Sequence, residues 1–226
     1  MVKLQNKIRT SEAKNLKKYS KEYLAAIEKR QGHGESLTME EAYQLFSSVQ
    51  ATLMIPGVMA EVGVYKGGSA AILCEAKEDR ALYLFDTFTG MPMNEVSANA
   101  DTWARKTHQD TSVESVQAFL SEYSNVEIIP GIFPMSIPET LKSMSFSFVN
   151  LDVDLYKSTL EALKFFWPRM SPGGRLISHN YNSVCYDIDD TPGVKEAFKE
   201  YFKDRLYLIV EVAETQCLVV KCSTDG

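Results

Sequence analysis

The run Val58-Met59-Ala60-Glu61-Val62-Gly63-Val64-Tyr65-Lys66-Gly67-Gly68-Ser69 constrains this chain more than any other stretch. A short apolar segment meets an acid, passes through a glycine-rich turn, and leads into Ala70-Ala71-Ile72-Leu73-Cys74-Glu75-Ala76, which reads as a helix. Strand, glycine turn and helix in that order form the mouth of a nucleotide-type site. Gly63, Gly67 and Gly68 let the backbone come close to a ligand, and the first N–H groups of the helix are left free to meet it.

The remaining chain alternates in the same way. Apolar, β-rich runs fall at 81–85 ending at Asp86, 126–129 ending at Pro130-Gly131, 146–151 ending at Asp152, 175–178 ending at His179, 206–210 and 217–220. Helical patterns fall at 112–123, 157–170 and 192–203, the last with Pro192 in its first turn. Ahead of the first strand, residues 10–30 carry a helical period, and Thr38-Met39-Glu40-Glu41 is a capping box opening a second helix through Gln50. These patterns predict a Rossmann-like α/β fold: a mostly parallel sheet with an antiparallel last strand, helices on both faces, and residues 1–50 as a helical cap. With 226 residues and 45% hydrophobic content, a single domain over 1–226 is expected. Residues 87–111 form a long polar connection on the carboxyl edge of the sheet and read as a lid.

Composition narrows the partners. No apolar run approaches a membrane span, and the first residues lack the apolar core of a secretory signal. Cys74, Cys185, Cys217 and Cys222 show no CxxC spacing and read as reduced thiols of a cytoplasmic protein. A net charge of −6 argues against a nucleic-acid partner. Residues 1–30 nevertheless hold nine Lys/Arg against three Glu. That segment reads mainly as a solvated helix face, and it leaves a homodimer open.

Ligands of open α/β sheets sit outside the carboxyl ends of the strands, and four of those ends carry a polar residue here: Glu61, Asp86, Asp152 and His179. Asp86, closing the second strand, is placed to accept hydrogen bonds from ribose hydroxyls. The dinucleotide fingerprint G-x-G-x-x-G would need glycine at Tyr65, whereas the pattern is G-x-x-x-G-G. A carboxylate at Glu61 repels a pyrophosphate and welcomes a cationic sulfonium ligand with a free amino group. S-adenosylmethionine is therefore expected ahead of a nicotinamide cofactor.

Several motifs then resemble the macrocin O-methyltransferase (TylF-like) family, in order from about residue 58 to 202: Glu61 to Ser69, Asp86-Thr-Phe-Thr-Gly-Met-Pro92, Gly131-Ile132-Phe133, Leu151-Asp-Val-Asp-Leu-Tyr-Lys-Ser-Thr159, Pro172-Gly-Gly174 and Pro192 to Ala197. The resemblance implies a seven-stranded class I methyltransferase that methylates a hydroxyl of a sugar or natural product, usually with magnesium. Carried over by position, it places Glu61, Gly63, Tyr65, Gly67 and Ser69, with the neighbouring Lys66 and Gly68, at the methionine end of S-adenosylmethionine. It puts Asp86 and Thr87 at the ribose, Gly131, Ile132 and Phe133 near the adenine, and Asp152 beside both metal and acceptor.

One departure stands out. Where the family has Asp-Asp-Tyr, this chain has His179-Asn180-Tyr181. Asp152, His179 and Asn180 make a poor site for a hard, oxygen-preferring Mg²⁺, while Mn²⁺, Fe²⁺ or Zn²⁺ remain open. Asp187, Asp189 and Asp190 offer further acids, though a helix cap accounts for them. His179 reads as a general base working with Asp152, as a replacement ligand, or as a filler hydrogen-bonded to Asp152. A histidine of pKa about 6.5 facing an alcohol near 16 leaves a gap of roughly 13 kcal/mol, against about 5 kcal/mol for a phenol. O-methylation of a small-molecule hydroxyl is the expected reaction. Metal-independent N-, S- or carboxyl methylation and a catalytically silent S-adenosylmethionine-binding protein are the alternatives. Phe88, Met91, Trp103 and Tyr181 are candidate acceptor walls; His33 and His108 read as exposed loop residues, with His108 within reach of an acceptor if the lid closes.

Overall fold

The computed structural model describes residues 19–33, 37–101, 104, 107–182, 184–185, 188–189 and 192–223. The chain runs α1 (Lys21–Lys29), α2 (Met39–Gln50), β1 (Val58–Val62), α3 (Gly68–Ala76), β2 (Leu82–Asp86), α4 (Val113–Phe119), β3 (Val126–Pro130), β4 (Phe146–Leu151), α5 (Tyr156–Phe166) and β5 (Met170–Ser178). There follow a two-residue hairpin, β6 (Val184–Cys185) with β7 (Ile188–Asp189), then α6 (Pro192–Phe202), β8 (Ile209–Glu211) and β9 (Cys217–Val220). The seven strands of the main sheet lie in the order β3-β2-β1-β4-β5-β9-β8. Strands β1 to β5 run parallel, and β9 opposes both β5 and β8, so the antiparallel last strand of the expected class I arrangement is present.

Alternation along the strands divides the core into two layers. Ala60, Val62, Phe85, Val149, Leu151 and Leu176 face α5 and α6, while Met59, Leu84, Phe148 and Ile177 face the layer holding α1, α2 and α3. Burial on both faces is what makes the parallel strands read as continuous apolar runs. Tyr23 and Ala26 of α1, and Ala42, Leu45, Phe46 and Val49 of α2, are buried, so the N-terminal helices complete one wall of the core. Among the described residues no helix is long and apolar enough to cross a membrane.

Several element boundaries differ from the sequence reading. The helix starts at Lys21 behind the N-cap Ser20, and residues 10–18 of the expected helix lie outside the described residues. Pro168 breaks the expected 157–170 helix into α5 and a 3-10 turn at Trp167–Arg169. Strand β5 starts at Met170, five residues before Arg175. The segment read as a strand at 206–210 instead continues from α6 as a 3-10 turn, Lys203–Leu208, kinked at Arg205, and only Ile209–Glu211 pairs in the sheet.

The 87–111 connection is anchored by two buried acids. Asp101 accepts the Tyr156 backbone N–H at 3.0 Å and the Ser97 N–H at 2.8 Å, while Glu95 accepts from the Ser158 hydroxyl at 3.1 Å and the Lys157 ammonium at 3.0 Å. Leu155, the N-cap position of α5, offers no side-chain cap, so Asp101 caps that helix from a distant segment. Gly193 makes room for this contact: a Cβ there would sit 2.1 Å from Asp101 Oδ1 and 2.9 Å from the Tyr156 nitrogen. Gly193→Ala and Asp101→Ala are each expected to cost about 1–2 kcal/mol. In a double-mutant cycle of denaturant unfolding the two costs will not add, because both remove the same cap.

Candidate active site

A cavity of about 370 Å³ opens at the carboxyl ends of β1, β2, β4 and β5, within the range of small-molecule and cofactor pockets. The glycine turn forms its floor. Gly63 leaves β1 at φ 90° with its α-carbon against the Asp152 carbonyl, so β1 and β4 approach closely where the cavity begins. Tyr65 and Gly67 also take positive φ, and α3 starts at Gly68 with no side-chain cap on its first N–H groups.

Most of the expected site residues line this one cavity: Gly63, Tyr65, Lys66, Gly68 and Ser69 from the turn, Asp86 and Thr87 from β2, Gly131, Ile132 and Phe133 after β3, and Asp152, His179 and Asn180 across from them. Two do not. Gly67 turns away, its missing side chain facing Phe119 and Val116 of α4. Glu61 is fully buried one layer behind the wall, with Ser69 between it and the cavity.

Asp86 is more occupied than a free ribose acceptor. Its Oδ2 accepts the Val64 and Tyr65 N–H groups at 2.7 and 2.8 Å, and its Oδ1 accepts the Phe88 N–H at 2.7 Å. The carboxylate therefore locks the glycine turn in place and keeps lone-pair capacity mainly on Oδ1. Outside the turn, Asp110 accepts from the Tyr65 hydroxyl and pairs with the Lys66 ammonium, which draws Asp110 down to about 2. Thr111 donates to the Tyr65 carbonyl, so the end of the 87–111 connection is fastened to the turn.

Across the cavity, burial sets the chemistry. Desolvation raises Asp152 to about 7 and Asp154 to about 6, and lowers His179 to about 4. At neutral pH the imidazole is uncharged. His179 does not bond Asp152, as the filler reading had it; its Nε2 is 3.2 Å from Asn150 Oδ1. The Asn180 amide donates to Asp154, and its backbone N–H donates to Thr215 Oγ1 at 3.3 Å. Asp152 makes no side-chain hydrogen bond to a described residue.

These donors do not fit a hard divalent cation. The Asn180 Nδ2 donates to Asp154, the imidazole Nε2 lies against Asn150 Oδ1, and Asp152 is the single carboxylate of the three residues. Among the described residues, no group of three His, Cys, Asp or Glu side chains is arranged to hold a metal ion. Asp187, Asp190 and the Asp189 side chain, offered above as further acids, lie outside the described residues, as does Trp103.

Three residues that sequence reading passed over belong here. Glu41 was legible only as the acid of a capping box, which it completes with Thr38 through Oε2. Its Oε1 accepts from the Thr215 N–H and hydroxyl at 3.2 and 2.7 Å, tying the helical cap to the turn before β9 beside Asn180. Asp154, inside the Asp-Val-Asp motif, also lines the cavity. His33, read as an exposed loop residue, stacks on Phe119 at 3.6 Å and reaches the cavity wall.

Comparison with known proteins agrees with this architecture. The structure of the O-methyltransferase NovP superposes with a TM-score of 0.70 at 22% identity, covering 82% of each chain. An 8-demethyl-8-(2,3-dimethoxy-α-L-rhamnosyl)-tetracenomycin-C 4′-O-methyltransferase of Streptomyces olivaceus is 31% identical over 59% of this chain and 56% of its own. A mycinamicin III 3″-O-methyltransferase of Micromonospora griseorubida is 28% identical over 71% of this chain and 65% of its own. The chain thus matches less than two thirds of the length of these curated relatives. The profile of the macrocin-O-methyltransferase (TylF) family matches residues 35–206. The resemblance carried by the motifs between about residues 58 and 202 thus extends over most of the sequence, and the chain belongs to the macrocin O-methyltransferase (TylF) family.

Proposed function

We propose that this protein is an S-adenosylmethionine-dependent methyltransferase acting on a hydroxyl group of a small natural-product or sugar-like acceptor. One observation carries the reading: a glycine turn at the carboxyl edge backed by a fully buried carboxylate whose Oε2 has no hydrogen-bond partner among the described residues. A buried acid raised to about 8 by desolvation, with Ser69 as its contact toward the cavity, suits a ligand that brings an ammonium group. The uncapped N–H groups of α3 suit the carboxylate of the same amino acid. Gly131, Ile132 and Phe133 offer an apolar shelf for the base, and Asp86 Oδ1 an acceptor for a ribose hydroxyl. The 87–111 connection is read as the lid over the acceptor end, with Met91, Pro92 and His108 on its inner side.

When bound, S-adenosylmethionine supplies a methyl group for in-line transfer to an oxygen lone pair. This chain's residues must hold the acceptor in line and take its proton. Asp152 fits that task better than His179: its side chain lines the cavity unpaired and sits near 7, whereas the imidazole is held near 4 and already bonded. A base near 7 facing a phenol near 10 leaves about 4 kcal/mol for full proton removal, against roughly 12 kcal/mol for a plain alcohol near 16. Acidic hydroxyls are therefore the preferred acceptors.

Transfer of labelled methyl groups to matched phenolic and sugar hydroxyls, with and without exhaustive chelation, tests the reading. Chelator-insensitive transfer favouring the phenols is expected, and Asp152→Asn should lower kcat by about 10²–10⁴. Loss of transfer on chelation with recovery in Mg²⁺ would overturn the metal-independent part. Absence of S-adenosylmethionine binding would overturn the whole.

A further inference from the structure

Four buried polar side chains cross the end of the sheet beneath the cavity, one from each of four adjacent strands or the residues that flank them. Glu61 on β1 is the direct cross-strand partner of Asn150 on β4. His179 follows β5 immediately, and Gln216 precedes β9, whose Cys217 pairs with Ser178. Glu61, Asn150 and Gln216 are fully buried and His179 is 4% exposed. Asn150 Nδ2 donates to Glu61 Oε1 at 2.8 Å, and Asn150 Oδ1 lies 3.2 Å from His179 Nε2. The Gln216 amide nitrogen donates to the Glu41 carbonyl at 3.3 Å and lies beside the imidazole, 3.3 Å from His179 Nε2 and 3.5 Å from Nδ1.

The Asn150 contacts favour one tautomer of His179. Glu61 drives the NH₂ of Asn150 toward itself, so the Asn150 oxygen faces the imidazole and requires a donor there. A proton on His179 Nε2 supplies that donor. The Gln216 NH₂, turned toward the Glu41 carbonyl, lies beside the ring between its two nitrogens. A carboxylate at position 179 would place an acceptor against an acceptor. A neutral histidine fits, and an aspartate does not.

We propose that His179 and Asn150 are positioning residues for the cofactor: they hold the Glu61 carboxylate in the orientation that receives the cofactor's amino group. The replacement of an acid by histidine at the end of β5 then serves the cofactor side of the cavity, not proton removal from the acceptor. This inference rests on the reading that the amino-acid end of S-adenosylmethionine lies over Ser69 and Glu61.

The test compares two probes, S-adenosylhomocysteine and 5′-methylthioadenosine, which share the nucleoside and differ in the amino-acid end. Calorimetry should show Asn150→Ala and His179→Asn weakening S-adenosylhomocysteine about tenfold or more while leaving 5′-methylthioadenosine unchanged. His179→Gln, which keeps an amide N–H near the Nε2 position, should restore near-native affinity. Retained 5′-methylthioadenosine binding shows that each variant is folded. Equal weakening of both probes, or of neither, would overturn the relay. So would a His179→Gln enzyme with native S-adenosylhomocysteine affinity and kcat reduced a thousandfold, which would make His179 the base. Glu61→Gln separates the two readings. Unchanged S-adenosylhomocysteine affinity there refutes the underlying placement of the cofactor. Selective loss there with none in His179→Asn or Asn150→Ala refutes the relay alone.

Discussion

Gly63→Ala is expected to abolish cofactor binding and to lower stability by about 3–5 kcal/mol. A Cβ on Gly63 would lie 1.9 Å from the Asp152 carbonyl oxygen and 2.7 Å from its carbon, which are backbone atoms of the neighbouring strand and cannot rotate away. The φ of 90° adds about 1–2 kcal/mol for an L side chain. Relief requires β1 and β4 to part where the Asp152 N–H reaches Val62 O at 2.8 Å, next to the Gly63 N–H to Phe85 O bond at 2.9 Å that ties β1 to β2. Such a loss is a large share of a typical folding free energy of about 5–15 kcal/mol, and in a chain of this size it lowers Tm by roughly 10 °C. Gly67→Ala is the control. It has a similar φ of 87°, but its Cβ meets only side-chain atoms, Phe119 Cδ1 at 3.1 Å and Val116 Cγ1 at 3.4 Å, so about 1–2 kcal/mol is expected. Thermal unfolding with calorimetric titration of S-adenosylhomocysteine checks both; equal effects would contradict the packing argument.

Between pH 6.5 and 8 the ligand-free protein is expected to lose about 2 kcal/mol of stability through Glu61 alone, at about 1.4 kcal/mol per pH unit. Glu61 moves from 4.5 in the unfolded chain to about 8 when folded, chiefly by desolvation, with Ser69 and Asn150 opposing that rise. In the window between those values the folded protein holds a proton that the unfolded chain has released. Raising the pH therefore favours unfolding, and the loss is complete above the folded value. Asp152, raised to about 7, acts in the same direction. His179 acts oppositely, but only between about 4 and 6.5, where the unfolded chain carries the extra proton. Above pH 6.5 the acids are left to dominate. Denaturant midpoints at pH 6.5 and 8 should show the decline in wild type and a shallower one in Glu61→Gln. Saturating S-adenosylhomocysteine should flatten the wild-type curve by placing a cation near the acid. Stability that rises over this interval would contradict a buried Glu61 whose charge is not matched by a cation.

The layer architecture was legible because strand ends and helix caps leave local marks: the glycine turn, the Thr38–Glu41 capping box, and apolar runs ending in Asp86, Asp152 and His179. The Lys203–Leu208 turn was not, because Leu206-Tyr207-Leu208-Ile209-Val210 has the same apolar character whether it pairs in a sheet or runs on from a helix. At the site, residues adjacent in sequence to the glycine turn were found, while Glu41, Asn150 and Gln216 were missed. Their contacts span 29 to 175 positions, and strand order, which a single sequence does not reveal, decides which side chains become neighbours. Asp86 was found for its position at the end of β2, yet its main structural work, holding the amides of Val64, Tyr65 and Phe88, shows only in the fold.

The most direct test of the account is calorimetric titration with S-adenosylhomocysteine at pH 7 in buffers of different ionisation enthalpy. An ammonium group arriving near an acid of pKa about 8 releases its proton. Binding should therefore release about 0.9 proton per molecule bound, while 5′-methylthioadenosine, lacking the amino acid, releases essentially none. Failure of S-adenosylhomocysteine to bind, or the same proton release with both ligands, would contradict a site built on the Gly63–Ser69 turn with Glu61 behind it.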